Sequence, residues 1–163
     1  MNHPAHPAIR VPYGRTVHGE PEIEAVTRVL RGSTQMGAHV RDFQAAVAAR
    51  FAKRHGIMVN SGSSANYLAV ELLGLPEGAE VITPALTFAT TVAPIVKNRL
   101  IPVFVDVEPD TFNIDAGRIE AAIGPATRAI MVPSLIGNLP DWAAIWDIAQ
   151  RHDLYVIEDS ADT

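Results

Sequence analysis

Cysteine is missing from all 163 residues, which removes disulfides, thiolate nucleophiles and cysteine-ligated zinc or iron–sulfur centres from the chemistry open to this chain. Long apolar runs are missing too. No stretch approaches the roughly 20 apolar residues that span a bilayer, so no membrane partner is expected. The opening MNHPAHPAI has neither the apolar core nor the basic lead of a secretory signal, which makes the cytoplasm the expected location. Lys and Arg are scattered rather than clustered, and the net charge is −5, both against a nucleic-acid binder with its basic face. The six histidines show no metal spacing and no HExxH. His3 and His6 lie near the start, and His55 and His152 sit near expected helix C-termini, where the helix dipole accounts for them. No metal site is expected. Neither GxxxxGK[ST] nor a GxGxxG after a strand occurs, which excludes the nucleoside-triphosphate loop and the usual dinucleotide fingerprint.

What remains is an ordinary globular composition, 48% hydrophobic and 19% charged, at a length that supports one domain with a core. Residues 1–17, rich in Pro, His and Gly, read as an extended arm. A helix is expected over residues 20–31, with Pro21 in its first turn, acidic residues at its start and Arg28 and Arg31 before Gly32. A second is expected over about 40–55, because Val40, Phe43, Val47 and Phe51 share one face and Gly56 follows. From residue 57 onward the pattern alternates. Short apolar runs at 57–59, 81–82, 103–107, 129–132 and 154–157 enclose helical stretches at about 64–73, 88–98, 115–123 and 142–151. Alternating strands and helices imply βαβ units and a mostly parallel sheet flanked by helices, an α/β layered domain. The chain closes on LYVIEDSADT, an apolar strand with no helix after it, and is expected to be a partial one.

Ligands of such sheets bind beyond the carboxyl ends of the strands, so the loops there hold the candidates. In NSGSSAN (60–66), Gly62 permits a tight turn while Ser63 and Ser64 put hydroxyls beside free helix amides. That suits a phosphate, and it equally suits a plain helix cap. Glu158 and Asp159 close the last apolar run, with Asp162 three residues on. A carboxylate there can hold a metal, orient a histidine, pair with a protonated ring nitrogen, or merely cap a helix. Phe88, among Thr83, Thr87, Thr90 and Thr91, can stack on a flat ring or belong to the core.

In this order and spacing the segments resemble the DegT/StrS family of sugar aminotransferases. The likeness is carried by PYGR (12–15), GEPEIE (19–24), SGSS (61–64), EVITP (80–84), TFAT (87–90), PVFVDV (102–107), TFNID (111–115) and VIED (156–159). The resemblance implies the large domain of the aspartate aminotransferase-like, fold type I architecture of pyridoxal-phosphate enzymes, here incomplete. Residues 1–35 would be an arm and helix shared with a smaller domain and a dimer contact, and 36–163 the first part of the cofactor-binding domain. By the same resemblance Gly62, Ser63 and Ser64 hold the cofactor phosphate, Phe88 stacks on its ring and Asp159 faces the pyridine nitrogen. A buried carboxylate in that place keeps the nitrogen protonated, so that the ring can accept electrons.

Two positions depart from the family pattern. Asp162 stands where a glutamine commonly donates to the ring oxygen, and a carboxylate cannot donate. Ser134 stands where a histidine is common. Asp162 with the IGNLPD loop (136–141) resembles the nucleotide-sugar 3-dehydratase branch, in which a histidine replaces the Schiff-base lysine and the cofactor works as pyridoxamine phosphate. The deciding lysine or histidine is expected beyond Thr163, so these residues alone are expected to be inactive. The resemblance implies a nucleotide-linked 4-keto hexose as substrate, a homodimer at full length, and a reductase partner for a dehydratase. Two other readings stay open: a non-catalytic family member that senses a ligand, and an unrelated α/β module binding a sugar or nucleotide.

Overall fold

A computed structural model describes residue 12 and residues 15–163. The readings placed on His3, His6, Tyr13 and Gly14 fall outside those residues. The chain divides into two compact units, Met1–Gly56 and Ile57–Thr163.

The first unit contains α1 (Glu20–Arg31) and α2 (Ala38–Arg50). α1 has the bounds its sequence signals, because the Glu22 carboxylate accepts the Gly19 N–H at 2.7 Å and closes the first turn. α2 is shorter than its apolar stripe suggests. It stops at Arg50 because Ala52 turns left-handed at φ 52 and sends the Lys53 N–H back to the Ala48 carbonyl at 2.8 Å. This is a helix stop that usually announces itself with glycine.

The second unit contains α3 (Gly62–Leu72), β1 (Glu80–Pro84), α4 (Ala89–Lys97), β2 (Ile101–Val105), α5 (Ala116–Ile119), β3 (Thr127–Pro133), α6 (Trp142–Arg151) and β4 (Tyr155–Asp159). The strands form one parallel sheet in the order β2-β1-β3-β4. The expected strand at 57–59 is not formed. A strand exists only where a neighbour completes its ladder, and these three residues pair with none of the four strands; Ile57 and Met58 are exposed. Asp159 therefore closes the fourth strand described, where the apolar runs alone suggest a fifth.

Alternation along the strands splits the core in two. Ile82, Val105, Ile130 and Val132 pack with Ile119 of α5 and Ile145, Ile148 and Ala149 of α6. Val81, Ala129, Met131 and Ile157 pack with Val70 of α3 and Ile95 of α4. Side chains one residue apart point to opposite faces, so both faces carry helices and the strand centres are apolar on both sides, as a parallel sheet requires. From β1 the chain moves to β2 on one side, then crosses to β3 on the other. The crevice where strand order reverses in this way is where α/β sheets bind their ligands.

A candidate cofactor site at the strand ends

Asp159 lies two residues after Ile157 on β4, so its side chain projects to the face that carries α3 and α4. Asn66 on α3 donates to its Oδ2 at 2.7 Å, and the Thr91 hydroxyl on α4 donates to the same oxygen at 3.3 Å. Thr87 donates in turn to the Thr91 hydroxyl at 3.0 Å. The other oxygen, Oδ1, accepts the Ala161 N–H at 3.2 Å. Every hydrogen-bond partner of the two oxygens is a donor.

Beside it stands the N-terminus of α3. Ser61 is the N-cap, its hydroxyl accepting the Ser64 N–H at 3.1 Å. The Ser64 hydroxyl donates to Asn60 Oδ1 at 2.6 Å. The first N–H groups of an α-helix have no acceptor inside the helix, so the amides of Gly62 and Ser63 stay available along with the exposed Ser63 hydroxyl. Gly62 itself is an ordinary helical residue without positive φ. A Cβ placed on it would lie 3.9 Å from Ala161 Cβ, which brings the α3 terminus against the segment that follows Asp159. Ser63 and Ser64 also line a cleft of about 330 Å³ between α3 and α4, which Lys97 lines too, its Nζ 4.4 Å from the Tyr67 ring centre.

Phe88 is the N-cap of α4 and is 71% exposed, so it belongs to the rim and not to the core. Asp162 accepts the Ile136 N–H on its Oδ2 at 3.0 Å. That bond holds a turn in which Ile136 and Gly137 take positive φ of 52° and 83°. Asn138 then ties the turn to the Thr111 carbonyl at 2.8 Å. Ser134 is buried, and its N–H donates to the Asp159 carbonyl at 3.0 Å. Its hydroxyl, like that of Thr83 at the end of β1, is buried without a partner among the described residues.

The strand ends thus bring Ser63, Ser64, Asp159 and Asp162 to one edge of the sheet, with Phe88 on the neighbouring α4 terminus. Asn66 and Thr91 fall within the segments the sequence singled out, but nothing in the sequence assigned either of them a role beside Asp159. A signal existed for the first: a polar side chain four residues before the buried Val70 occupies a core position of α3.

A sequence profile of the DegT/DnrJ/EryC1/StrS aminotransferase family matches residues 17–163. A "Pleiotropic regulatory protein" of Geobacillus stearothermophilus is 43% identical over 87% of this chain and 39% of its own. A "dTDP-4-dehydro-2,6-dideoxy-D-glucose 3-dehydratase" of Saccharopolyspora spinosa is 40% identical over 93% of this chain and 34% of its own. Among solved structures, E coli GDP-4-keto-6-deoxy-D-mannose-3-dehydratase with bound hydrated PLP superposes with a TM-score of 0.86 at 31% identity, over 93% of this chain and 41% of that one. The chain spans between a third and two-fifths of the length of these relatives.

Proposed function

The chain belongs to the DegT/DnrJ/EryC1/StrS aminotransferase family, and from that premise we propose that it builds the cofactor-binding front of a pyridoxal- or pyridoxamine-phosphate enzyme acting on a nucleotide-linked 4-keto hexose. One observation carries the reading. The Asp159 carboxylate, ringed by donors, stands against the free amides that open α3. An anion receptor and a carboxylate on adjoining segments suit a ligand with a phosphate at one end and a basic ring nitrogen at the other.

When bound, the cofactor supplies an electron sink for bonds broken beside its amine or imine nitrogen. The chain's own residues bind and orient it. The Gly62 and Ser63 amides with the Ser63 hydroxyl would hold the phosphate, joined by the Ser64 hydroxyl once it releases Asn60 Oδ1, while Asp159 would keep a proton on the ring nitrogen and Phe88, free at the rim, would cover the ring face. Asp162, three residues past Asp159, lies near the ring oxygen. A carboxylate there cannot donate to that oxygen, and together with Asn138 it resembles the branch that removes a sugar hydroxyl, so we favour dehydration over amino transfer. The residue separating the two reactions, lysine or histidine, belongs by resemblance to the part of the relatives that this chain does not span. Arm and α1 are proposed to serve a smaller domain and a homodimer contact, and a dehydratase would hand its product to a reductase.

The test uses the full-length protein with cofactor, a nucleotide-linked 4-keto hexose and glutamate. Mass spectrometry separates the products: amination exchanges the carbonyl oxygen for an amino group, whereas pyridoxamine-driven loss of the hydroxyl followed by hydrolysis leaves a keto sugar short of one oxygen atom, with glutamate converted to 2-oxoglutarate and ammonia. Asp159→Asn should lower kcat by about a hundredfold or more, the scale of losing one preorganised electrostatic group. Undiminished cofactor-dependent turnover in that variant would sink the assignment. The 43% identity to a regulatory protein supports a second reading, a ligand sensor without turnover; binding of cofactor or sugar with neither product formed would favour it.

A further inference from the structure

The carboxylate of Asp159 is held unequally. Oδ2 takes two side-chain donors, at 2.7 and 3.3 Å, whereas Oδ1 takes one backbone N–H at 3.2 Å. Both donors to Oδ2 are buried, Asn66 at 7% exposure and Thr91 at 0%. The Asn66 amide uses its two N–H bonds on different elements, one on Asp159 Oδ2 at 2.7 Å and the other on the Thr90 carbonyl of α4 at 3.3 Å. A planar amide with both hydrogens committed cannot turn without losing one of them. It therefore ties α3, α4 and the end of β4 together at the atom that matters.

Rotation of a carboxylate about its last torsion is loosely restrained. Its direction must come from its neighbours, and here both side-chain donors bind Oδ2, while Oδ1 takes only the Ala161 N–H. We propose that Asn66, seconded by Thr91, is a positioning residue that pins Oδ2 and leaves Oδ1 as the working oxygen, aimed at the ring nitrogen of the cofactor. The proposal rests on the cofactor reading above. Neither residue touches the reacting atoms. Each acts through Asp159, and the Thr87 hydroxyl supports Thr91 by donating to it, which commits the Thr91 proton to the carboxylate.

The experiment is carried out on the full-length holoenzyme loaded with cofactor isotope-labelled at the pyridine nitrogen. Nitrogen NMR then reports the protonation of that atom across the pH range, independently of turnover. Asn66→Leu, which keeps the volume and removes the donor, should let the ring nitrogen lose its proton at lower pH than in the wild type. It should also lower kcat by about ten- to a hundredfold with KM for the sugar little changed, the scale of a misaligned catalytic contact. Thr91→Val, which removes the weaker donor, should move the nitrogen titration the same way by less. A folded Asn66→Leu protein whose nitrogen titrates as in the wild type would overturn the proposal, whatever its melting temperature. If Asn66→Leu does not fold, an unchanged titration in Thr91→Val overturns it instead. Asp159→Asn is the control: if it too leaves the nitrogen unmoved, the cofactor reading fails, and not merely the role of Asn66.

Discussion

Glu120, just past α5, meets two residues from the end of α6. Arg151 hydrogen-bonds to its Oε1, and His152 Nε2 lies 2.9 Å from the same oxygen. Asp147 holds the Arg151 Nε at 2.9 Å from the other side. The Arg151 guanidinium first, and the His152 ring second, hold the Glu120 carboxyl below the usual carboxylate range; the upward push on Arg151 is the same contact seen from its partner. A carboxyl whose folded value is depressed adds stability that is fully present above its unfolded pKa, about 4.3, and is lost as pH falls through the folded value. The melting temperature of the wild type should therefore exceed that of Glu120→Gln at neutral pH, and the two should converge on acidification below about pH 4. Because these groups stand half in solvent, added salt should narrow the gap. A gap that stays constant from neutral to acid pH would show that this cluster is not what titrates.

At the level of elements, three helices end alike. Ala52, Arg99 and Asp153 follow the caps of α2, α4 and α6 with φ of 52°, 58° and 54°. The N–H groups of Lys53, Leu100 and Leu154 each reach back to a carbonyl five residues earlier. Side chains at such positions are strained where glycine would not be. Ala52 makes the cleanest test, since it has no side-chain partner to lose. Ala52→Gly should stabilise the end of α2 by about 1 kcal/mol or less, read as greater hydrogen-exchange protection of its last amides; reduced protection would contradict the capping argument. The same geometry explains what could be read beforehand. α1 and α6 were legible to the residue because their signals are local: Glu22 closes the start of one, and Asp141 Oδ1 accepts the Ala144 N–H at 3.0 Å at the start of the other. The end of α2 was not, because the residue that turns the chain is alanine. Residues 57–59 misled because an apolar triplet records hydrophobicity and says nothing of a ladder partner. At the candidate site, the end of a strand pointed to Asp159 and the start of a helix to the serines, whereas Asn66 and Thr91 enter through contacts 93 and 68 residues apart in sequence.

At the scale of the whole molecule, each unit leaves apolar surface without cover. In the first, Ile23, Val26 and Leu30 of α1 are spaced by three and four residues on one face, and all are exposed. In the second, β2 is an edge strand with Ile101 and Phe104 exposed, and β4 forms the opposite edge. Free edges and exposed apolar faces are surfaces that stable monomers cover. The relatives are more than twice as long as this chain, which gives the covering a source. The 163 residues prepared alone should therefore self-associate as concentration rises, by light scattering, while the full-length protein keeps one discrete size. The proposed phosphate site at the start of α3 and Asp159 both lie in the short chain, so weak cofactor binding should survive as a small absorbance change. Turnover should not, because the proposed lysine or histidine lies in the portion the chain does not span. A monodisperse short chain that processes a nucleotide-linked keto sugar would place the whole reaction within these residues and refute the division of labour argued for them.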